Sequence, residues 1–166
     1  MIWPHEDTPA LNTFYGDPRG TNGQASAAWQ AENLVQWVTP YPMFYSDGKH
    51  TPMEHLHVHK KCLSTFHDAF TDVLQTMGID KIRQLRLDVT GGTFCFRPER
   101  GGSRLSVHSW GCAIDMDPGH NPFPHVWEPG RGMIDPQFAS ILQKHGFCWR
   151  GAHNDVDPMH FQLCQH

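Results

Sequence analysis

The sequence predicts an α+β fold, with a small antiparallel sheet and flanking helices. Apolar residues recur at helical spacing from Cys62, and again after Asp135 in a helix that stops at Gly146. Other segments alternate polar and apolar residues with period two, as half-buried strands do. The 166 residues fit one domain, and 39% hydrophobic residues can fill its core. We therefore expect one globule in which residues 1–59 form an irregular wrap and residues 60–166 form the core.

A short strand, a long helix and a second strand are predicted first along the chain. Residues 33–38 form a brief apolar run between turn-rich segments, which is typical of a strand. The helical spacing covers residues 62–77, and Gly78 stands where a helix commonly ends. Residues 85–89 then alternate apolar with polar side chains, so they predict a half-buried strand that the Gly-Gly pair at 91–92 ends.

Two later strands place polar side chains on a shared face. Asp115 and Asp117 alternate with apolar residues in the segment 112–117, so this strand turns its carboxylates away from the core. His160 and Gln162 alternate with apolar residues in the same way near the end of the chain. If the two strands are antiparallel neighbours, Asp115 and His160 can meet across the ladder.

Two imidazoles and one carboxylate of this region have the spacing of a metal site. His108 lies seven residues before Asp115, and Gly111 between them can bend the chain so that both reach one point. With His160 they would give three protein ligands and an open position for water, as in catalytic zinc sites. Asp157 could take a proton from that water and pass it to a leaving amine. The alternative interpretation of Asp157 is a turn former that precedes a proline.

A family resemblance rests on two motifs, Ser106-x-His108-x-x-Gly111-x-Ala113-x-Asp115 and Asp157-x-x-His160-Phe161. The motifs resemble those of the zinc peptidases of the D-alanyl-D-alanine carboxypeptidase and L-alanyl-D-glutamate endopeptidase family, peptidase M15, which includes phage endolysins of the VanY-like type. The resemblance implies a hedgehog/DD-peptidase-like fold and a general base and acid at Asp157. It also implies one zinc ion, held by His108, Asp115 and His160.

The resemblance further implies substrate contacts, and the chain departs from the family pattern at Asp157, where the family's base is often Glu, and at Gln162. Arg97 best matches the family's arginine, which holds substrate or stabilises the oxyanion. Ser106 and Trp149 complete the predicted substrate-binding set, although the residues alone suggest that Ser106 orients His108 or caps a turn and that Trp149 is core or cleft wall. Many relatives have Glu where this chain has Gln162, so we expect a charge beside the last ligand to be missing.

Two other polar clusters have less specific interpretations. His55, His57 and His59 share one face of an extended segment and could bind a second metal, although a polar strand face without metal is the interpretation that we favour. Arg100 and Arg104 lie in a Gly-rich segment that is typical of a solvated loop.

These features predict a zinc metallopeptidase that hydrolyses a peptide bond of the peptidoglycan stem during cell wall degradation. The bond would be L-Ala-D-Glu, cut by an endopeptidase, or D-Ala-D-Ala, cut by a carboxypeptidase. A non-catalytic, metal-stabilised module that binds peptides or cell wall on the same scaffold is the alternative. The formal net charge of −4 argues against a nucleic-acid or anionic-membrane partner, and we expect a monomer.

The expected location follows from the cysteines and the N-terminus. Five cysteines without a C-x-x-C pair predict reduced, mostly buried thiols. No basic segment followed by an apolar one marks a signal peptide, and no apolar run is long enough to span a membrane. The expectation is a cytoplasmic protein that is released to the cell wall, with a phage genome as the simplest origin.

Overall fold

The computed structural model describes residues 2–152 and 155–166, and it has the expected α+β fold. The described residues form five α-helices: α1 (Thr8–Tyr15), α2 (Ala27–Asn33), α3 (Leu63–Met77), α4 (Ile79–Gln84) and α5 (Pro136–Lys144). They also form eight short strands: β1 (Leu34–Trp37), β2 (Met43–Tyr45), β3 (Pro52–Met53), β4 (Leu56–His59), β5 (Val89–Gly92), β6 (Ala113–Met116), β7 (Cys148–Trp149) and β8 (His160–Gln162).

Six strands form one mixed sheet in the order β3-β2-β5-β6-β8-β7, while β1 and β4 pair separately. Every pair in the larger sheet is antiparallel except β2 with β5, which is parallel. A parallel pair requires a long crossover, and the chain between these two strands contains α3 and α4. The expected antiparallel arrangement is therefore confirmed for β5, β6, β8 and β7, and it is wrong at the β2–β5 pair.

The two predicted long helices are confirmed: α3 has the expected ends, and α5 begins as expected and ends at Lys144, two residues before Gly146. Cys62 precedes α3, and Gly78 ends it with a φ of 74°. The Asp135 side chain caps α5 by accepting from the backbone N–H of Gln137 at 2.9 Å, and Pro136 occupies the first helical position. At 15 residues α3 is the longest helix described, and none of the described helices is long and apolar enough to cross a membrane.

An aromatic cluster joins the helices to the sheet. Phe66 and Phe70 of α3 each lie 5.0 Å from Trp37, measured between ring centroids. Phe70 also contacts Phe138 of α5, which in turn lies 5.6 Å from Phe161 of β8. Edge-to-face pairs of this kind add to the stabilisation that burial provides. The core packing therefore holds β8 from the side that faces the helices.

The predicted strand at residues 85–89 is wrong. Residues 85–88 form a turn after α4, and the strand begins only at Val89. Arg86 has a left-handed backbone with a φ of 55°, and its Nε donates to Asp117 at 2.7 Å. The N–H of Leu87 donates to the carbonyl of Ile82 in α4 at 2.9 Å, so these residues form a helix-terminating turn, in which Leu87 and Asp88 are both buried. Asp117 is likewise buried in this ion pair rather than exposed on a polar strand face.

The N-terminal region is more regular than the expected irregular wrap. It contains α1, α2 and the first four strands, and β2 lies inside the larger sheet. Asp7 and Ser26 cap the two short helices with hydrogen bonds of 2.8 and 3.2 Å to backbone N–H groups. The Tyr15 hydroxyl donates to the carbonyl of Leu163 at 2.6 Å. The many Pro and Gly residues of this region predicted irregular structure. Helices form there nevertheless, because caps and tertiary contacts stabilise them.

His59 is a buried histidine with both ring nitrogens engaged. Its Nε2 donates to the carbonyl of Tyr15 at 3.0 Å, and its Nδ1 accepts from the backbone N–H of Lys61 at 3.1 Å. The ring is therefore neutral, and it has no nitrogen free for a metal ion in this structure. Burial has the largest effect on His59 and lowers its pKa to about 4. The hydrogen bond to the Tyr15 carbonyl opposes this change, and the charge of Lys61 adds to it.

We predict that His59 makes folding less stable in acid. The unfolded chain binds a proton at the ordinary pKa of 6.5, whereas the folded chain does so only near a pKa of about 4. The stabilisation is therefore complete above pH 6.5 and is lost as the pH falls through this window. A pKa difference of this size corresponds to at most about 3 kcal/mol.

Chemical denaturation across this pH range tests the prediction. His59→Gln keeps a donor for Tyr15 but does not titrate, so its free energy of unfolding should depend less steeply on pH than that of the wild type. Curves that run parallel for the two proteins would contradict the assignment to His59.

Candidate metal centre

The turn in front of β6 brings the first predicted ligand to the sheet. Val107–Trp110 form a short 3-10 helix that contains His108, and Gly111 then adopts a left-handed conformation with a φ of 66°. A Cβ atom at Gly111 would lie 2.9 Å from Leu34 Cδ2 and 3.0 Å from the backbone nitrogen of His59. Glycine is therefore needed here both for its backbone freedom and for the close approach of β4.

The three predicted ligands converge on one point. Asp115 of β6 and His160 of β8 are direct partners in the antiparallel pair, as strand alternation predicts. His160 Nδ1 lies 2.9 Å from Asp115 Oδ1. His108 Nε2 lies 3.1 Å from that same oxygen and 3.1 Å from His160 Nδ1. Each of the three side chains is at most 13% exposed, so the cluster is largely shielded from solvent.

The outer nitrogens of both histidines are fixed by acceptors. His108 Nδ1 donates to the carbonyl of Thr93 at 2.6 Å, and His160 Nε2 donates to Gln162 Oε1 at 2.9 Å. With these protons directed outward, the two inner nitrogens present lone pairs to each other. The Asp115 carboxylate adds a third acceptor. Three acceptors this close repel one another unless a cation lies among them, so the donor set fits a divalent metal ion.

The electrostatics of the cluster also favour a cation. Burial raises the pKa of Asp115, but the charge and hydrogen bond of His108, together with the hydrogen bond of His160, hold it well below its ordinary value. Burial lowers the pKa of His160, and the Asp115 carboxylate more than offsets this, so that pKa is raised. The field that attracts a proton to the centre also attracts a metal ion, which would displace that proton.

Asp157 lies just before β8 and lines the same cleft. Its backbone carbonyl accepts from the N–H of His160 at 3.1 Å, which closes a turn. Its Oδ1 is buried and has no hydrogen-bond partner in the part of the chain that the structure describes. Burial raises the pKa of this carboxyl, although the charge of His160 lowers it. The side chain of an Asp that forms a turn normally accepts a hydrogen bond from a nearby backbone N–H. The Asp157 Oδ1 has no such bond among the described residues, so the role of a turn former does not explain its burial.

The cleft measures about 200 Å³, and its walls carry charges of both signs. Arg97 and Ser106 lie in these walls, as do Arg100 and Arg104, for which the sequence favoured a solvated loop. Ser106 begins the 3-10 turn without a side-chain cap bond, and the carbonyl of Thr93 is the group that orients His108.

Trp149 does not belong to the described residues that line the cleft. Its ring stacks on Phe161 at 5.8 Å between centroids, and its Nε1 donates to the carbonyl of Pro158 at 2.8 Å. Trp149 thus packs against β8 and bonds the turn that carries Asp157.

Sequence reasoning missed two groups around the ligands, Thr93 and Glu6, and it did not predict the hydrogen bond between Gln162 and His160. Thr93 acts through its backbone carbonyl, which no side-chain pattern can reveal. Gln162 shares the strand face of His160, and the period-two alternation could have shown its contact. Glu6 accepts from Gln162 Nε2 at 2.7 Å across 156 positions of sequence, and no local pattern marks it. The residue beside the last ligand is thus the neutral Gln162, and the carboxylate of Glu6 lies one hydrogen bond further away.

We predict that Gly111→Ala destabilises the fold and lowers its metal content. The left-handed backbone alone costs an alanine roughly 1–3 kcal/mol. The close contacts with Leu34 and His59 add to this cost and displace His108. Gly48→Ala is the matched control, because Gly48 has a similar φ of 71° and nothing within 4 Å of the added Cβ. Denaturation curves and metal analysis should show the larger losses at Gly111, and equal losses would contradict the close approach.

The family comparison agrees with the motifs. A family model described as D-alanyl-D-alanine carboxypeptidase matches residues 100–163, a segment that contains all three candidate ligands and Asp157. No curated protein and no solved structure matches the chain. The resemblance is confirmed for the family, whereas the phage-endolysin type stays a prediction. The match shows that residues 100–163 are similar to the family of D-alanyl-D-alanine carboxypeptidases.

Proposed function

We propose that the protein is a zinc-dependent peptidase that hydrolyses a peptide bond in the peptidoglycan stem peptide. The observation that carries the proposal is the convergence of two imidazole lone pairs and a carboxylate beside a buried, unpartnered carboxylate oxygen. The match to a peptidase family supports the same reaction class. The proposal includes one zinc ion per monomer and an endolysin-like release to the cell wall.

Zinc suits the donor set and the geometry. Two imidazoles and one carboxylate are a common set of three protein ligands for catalytic zinc, with a further position left open. A zinc ion held by His108, Asp115 and His160 would supply Lewis-acid chemistry to the cleft. The bonds to Thr93 and Gln162 hold both rings in the tautomer that directs a lone pair inward.

Asp157 moves the proton in this proposal. Its carboxylate accepts a proton from the water that attacks the scissile carbonyl, and it then delivers the proton to the leaving amine. The raised pKa that burial gives this carboxyl suits the first step, because a stronger base accepts the proton more readily. Oδ1, which has no hydrogen-bond partner among the described residues, would make this contact with water or substrate.

Two arginines in the cleft fit an acidic peptide. Arg104 and Arg150 are already paired with carboxylates of the protein. Arg97 and Arg100 have no carboxylate partner among the described residues, and both line the cleft. Stem peptides carry free carboxylates, which a guanidinium can bind through two parallel hydrogen bonds. We therefore assign Arg97 to substrate binding, with Arg100 as a second candidate.

We predict that Asp157→Asn retains zinc and loses catalysis. The amide cannot accept the proton, so digestion of purified peptidoglycan should slow by about 100- to 10,000-fold. Mass spectrometry of the released fragments measures this and also identifies the bond, D-Ala-D-Ala or L-Ala-D-Glu. Asp68→Asn, at an exposed site on α3, is the control and should change neither zinc content nor digestion. Unchanged digestion by the Asp157 variant would refute its role as base.

We further predict that His160→Ala loses zinc together with activity. The remaining two ligands cannot fill the coordination that a catalytic zinc ion needs. Metal analysis after dialysis should show zinc in the wild type and little in the variant. A wild-type protein that binds zinc and wall fragments but releases no new amine termini would favour the non-catalytic binding module instead.

A further inference from the structure

We propose that Glu6 is a positioning residue of the metal centre, which acts through Gln162 on the ligand His160. The inference rests on the metal site of the proposed function and adds the N-terminal segment to it. Three hydrogen-bonded groups form the connection. His160 Nε2 donates to Gln162 Oε1 at 2.9 Å, and Gln162 Nε2 donates to Glu6 Oε2 at 2.7 Å.

The connection fixes which nitrogen of His160 faces the metal position. A carboxylate can only accept hydrogen bonds, so Glu6 holds the NH₂ group of Gln162 on its own side. The amide oxygen of Gln162 must then face His160, and an oxygen requires a proton on Nε2. Nδ1 is consequently left with its lone pair, and it is the atom that lies 2.9 Å from Asp115. The negative charge of Glu6 thus sets the tautomer of a ring that it does not touch.

Glu6 is itself held rigidly. Its side chain is 11% exposed and accepts from Arg150 at 2.7 Å and from Arg104 at 3.1 Å. Its backbone N–H donates to the carbonyl of Gln165 at 2.8 Å, which ties the N-terminal segment to the chain end that follows β8. Burial raises the pKa of Glu6, but the hydrogen bond from Gln162 and the charge of Arg150 outweigh it, so the carboxyl is ionised.

An alternative role for Glu6 is to anchor the two arginines. Both arginines have a second carboxylate partner, because Arg104 also bonds Glu99 and Arg150 also bonds Asp155. The NH₂ group of Gln162 has Glu6 as its acceptor in the described part of the chain. Loss of the Glu6 charge therefore affects the amide more than it affects the arginines.

The test measures zinc affinity of the full chain by competition with a chromophoric chelator. In Glu6→Gln the residue at position 6 can present NH₂ as well as oxygen, so the Gln162 amide is free to flip and the His160 tautomer is no longer fixed. We expect affinity to fall about 10- to 100-fold, as for other groups that orient a metal ligand. Glu32→Gln is the matched control, since Glu32 is an exposed glutamate whose carboxylate lies 4.0 Å from Lys60 Nζ, and it should bind zinc like the wild type.

A charge swap separates positioning from anchoring. In the double variant Glu6→Gln with Gln162→Glu, the carboxylate is at position 162 and accepts directly from His160 Nε2. The amide is at position 6, and its NH₂ group donates to that carboxylate. Zinc affinity should recover to within a few-fold of the wild type if the charge positions His160. Affinity that stays low in the double variant would show that Glu6 only anchors the N-terminus, and this would overturn the inference.

Two further outcomes distinguish the inference from the proposed function. A wild type that binds zinc, together with a Glu6→Gln variant that binds it equally well, overturns the role of Glu6 and leaves the peptidase proposal intact. A wild type that binds no zinc overturns both. Thermal unfolding of the metal-free proteins shows whether a variant is folded, and the double variant supplies the comparison if the single variant is not.

Discussion

The register between β6 and β8 is the constraint on which the candidate site depends. It places Asp115 opposite His160, and a shift by one residue would turn one of these side chains to the other face of the sheet. Ile114 and Phe161, which pair at the next position, are fully buried on the opposite face. Apolar packing against the helices thus fixes the register, and the register fixes the distance between two ligands.

The third ligand reaches this pair by a turn, and the result is a cluster that favours a cation. Gly111 allows β4 to lie against the turn, and the carbonyl of Thr93 then rotates His108 so that Nε2 faces inward. The fold brings three hydrogen-bond acceptors together where little solvent reaches them. Their burial opposes folding unless a cation compensates the negative charge of Asp115. A ligand that binds only the folded state stabilises it, so a metal ion bound at this cluster would be coupled to folding.

Sequence periodicity revealed those parts of the molecule that a single element determines. The stripe of α3, the cap of α5 and the alternation around Asp115 and His160 are local, and the structure contains them. The same alternation misled at residues 85–88, because the chain there forms a turn after α4 in which the adjacent side chains of Leu87 and Asp88 are both buried. The contact between Glu6 and Gln162 joins the two ends of the chain, and such a pair leaves no periodic trace.

The segment that carries the family motifs is therefore smaller than the physical unit that builds the site. The family match begins at residue 100, yet Thr93 orients His108 and the Thr90 hydroxyl donates to the carbonyl of Asp115 at 2.7 Å. Both threonines belong to β5 or follow it directly, and β5 pairs with β6 on one side and with β2 on the other. The motif supplies the ligands, and the preceding residues supply the strand and the hydrogen bonds that orient them. A motif can identify the reaction class because ligands are side chains, while the geometry also depends on backbone groups and distant neighbours that no motif records.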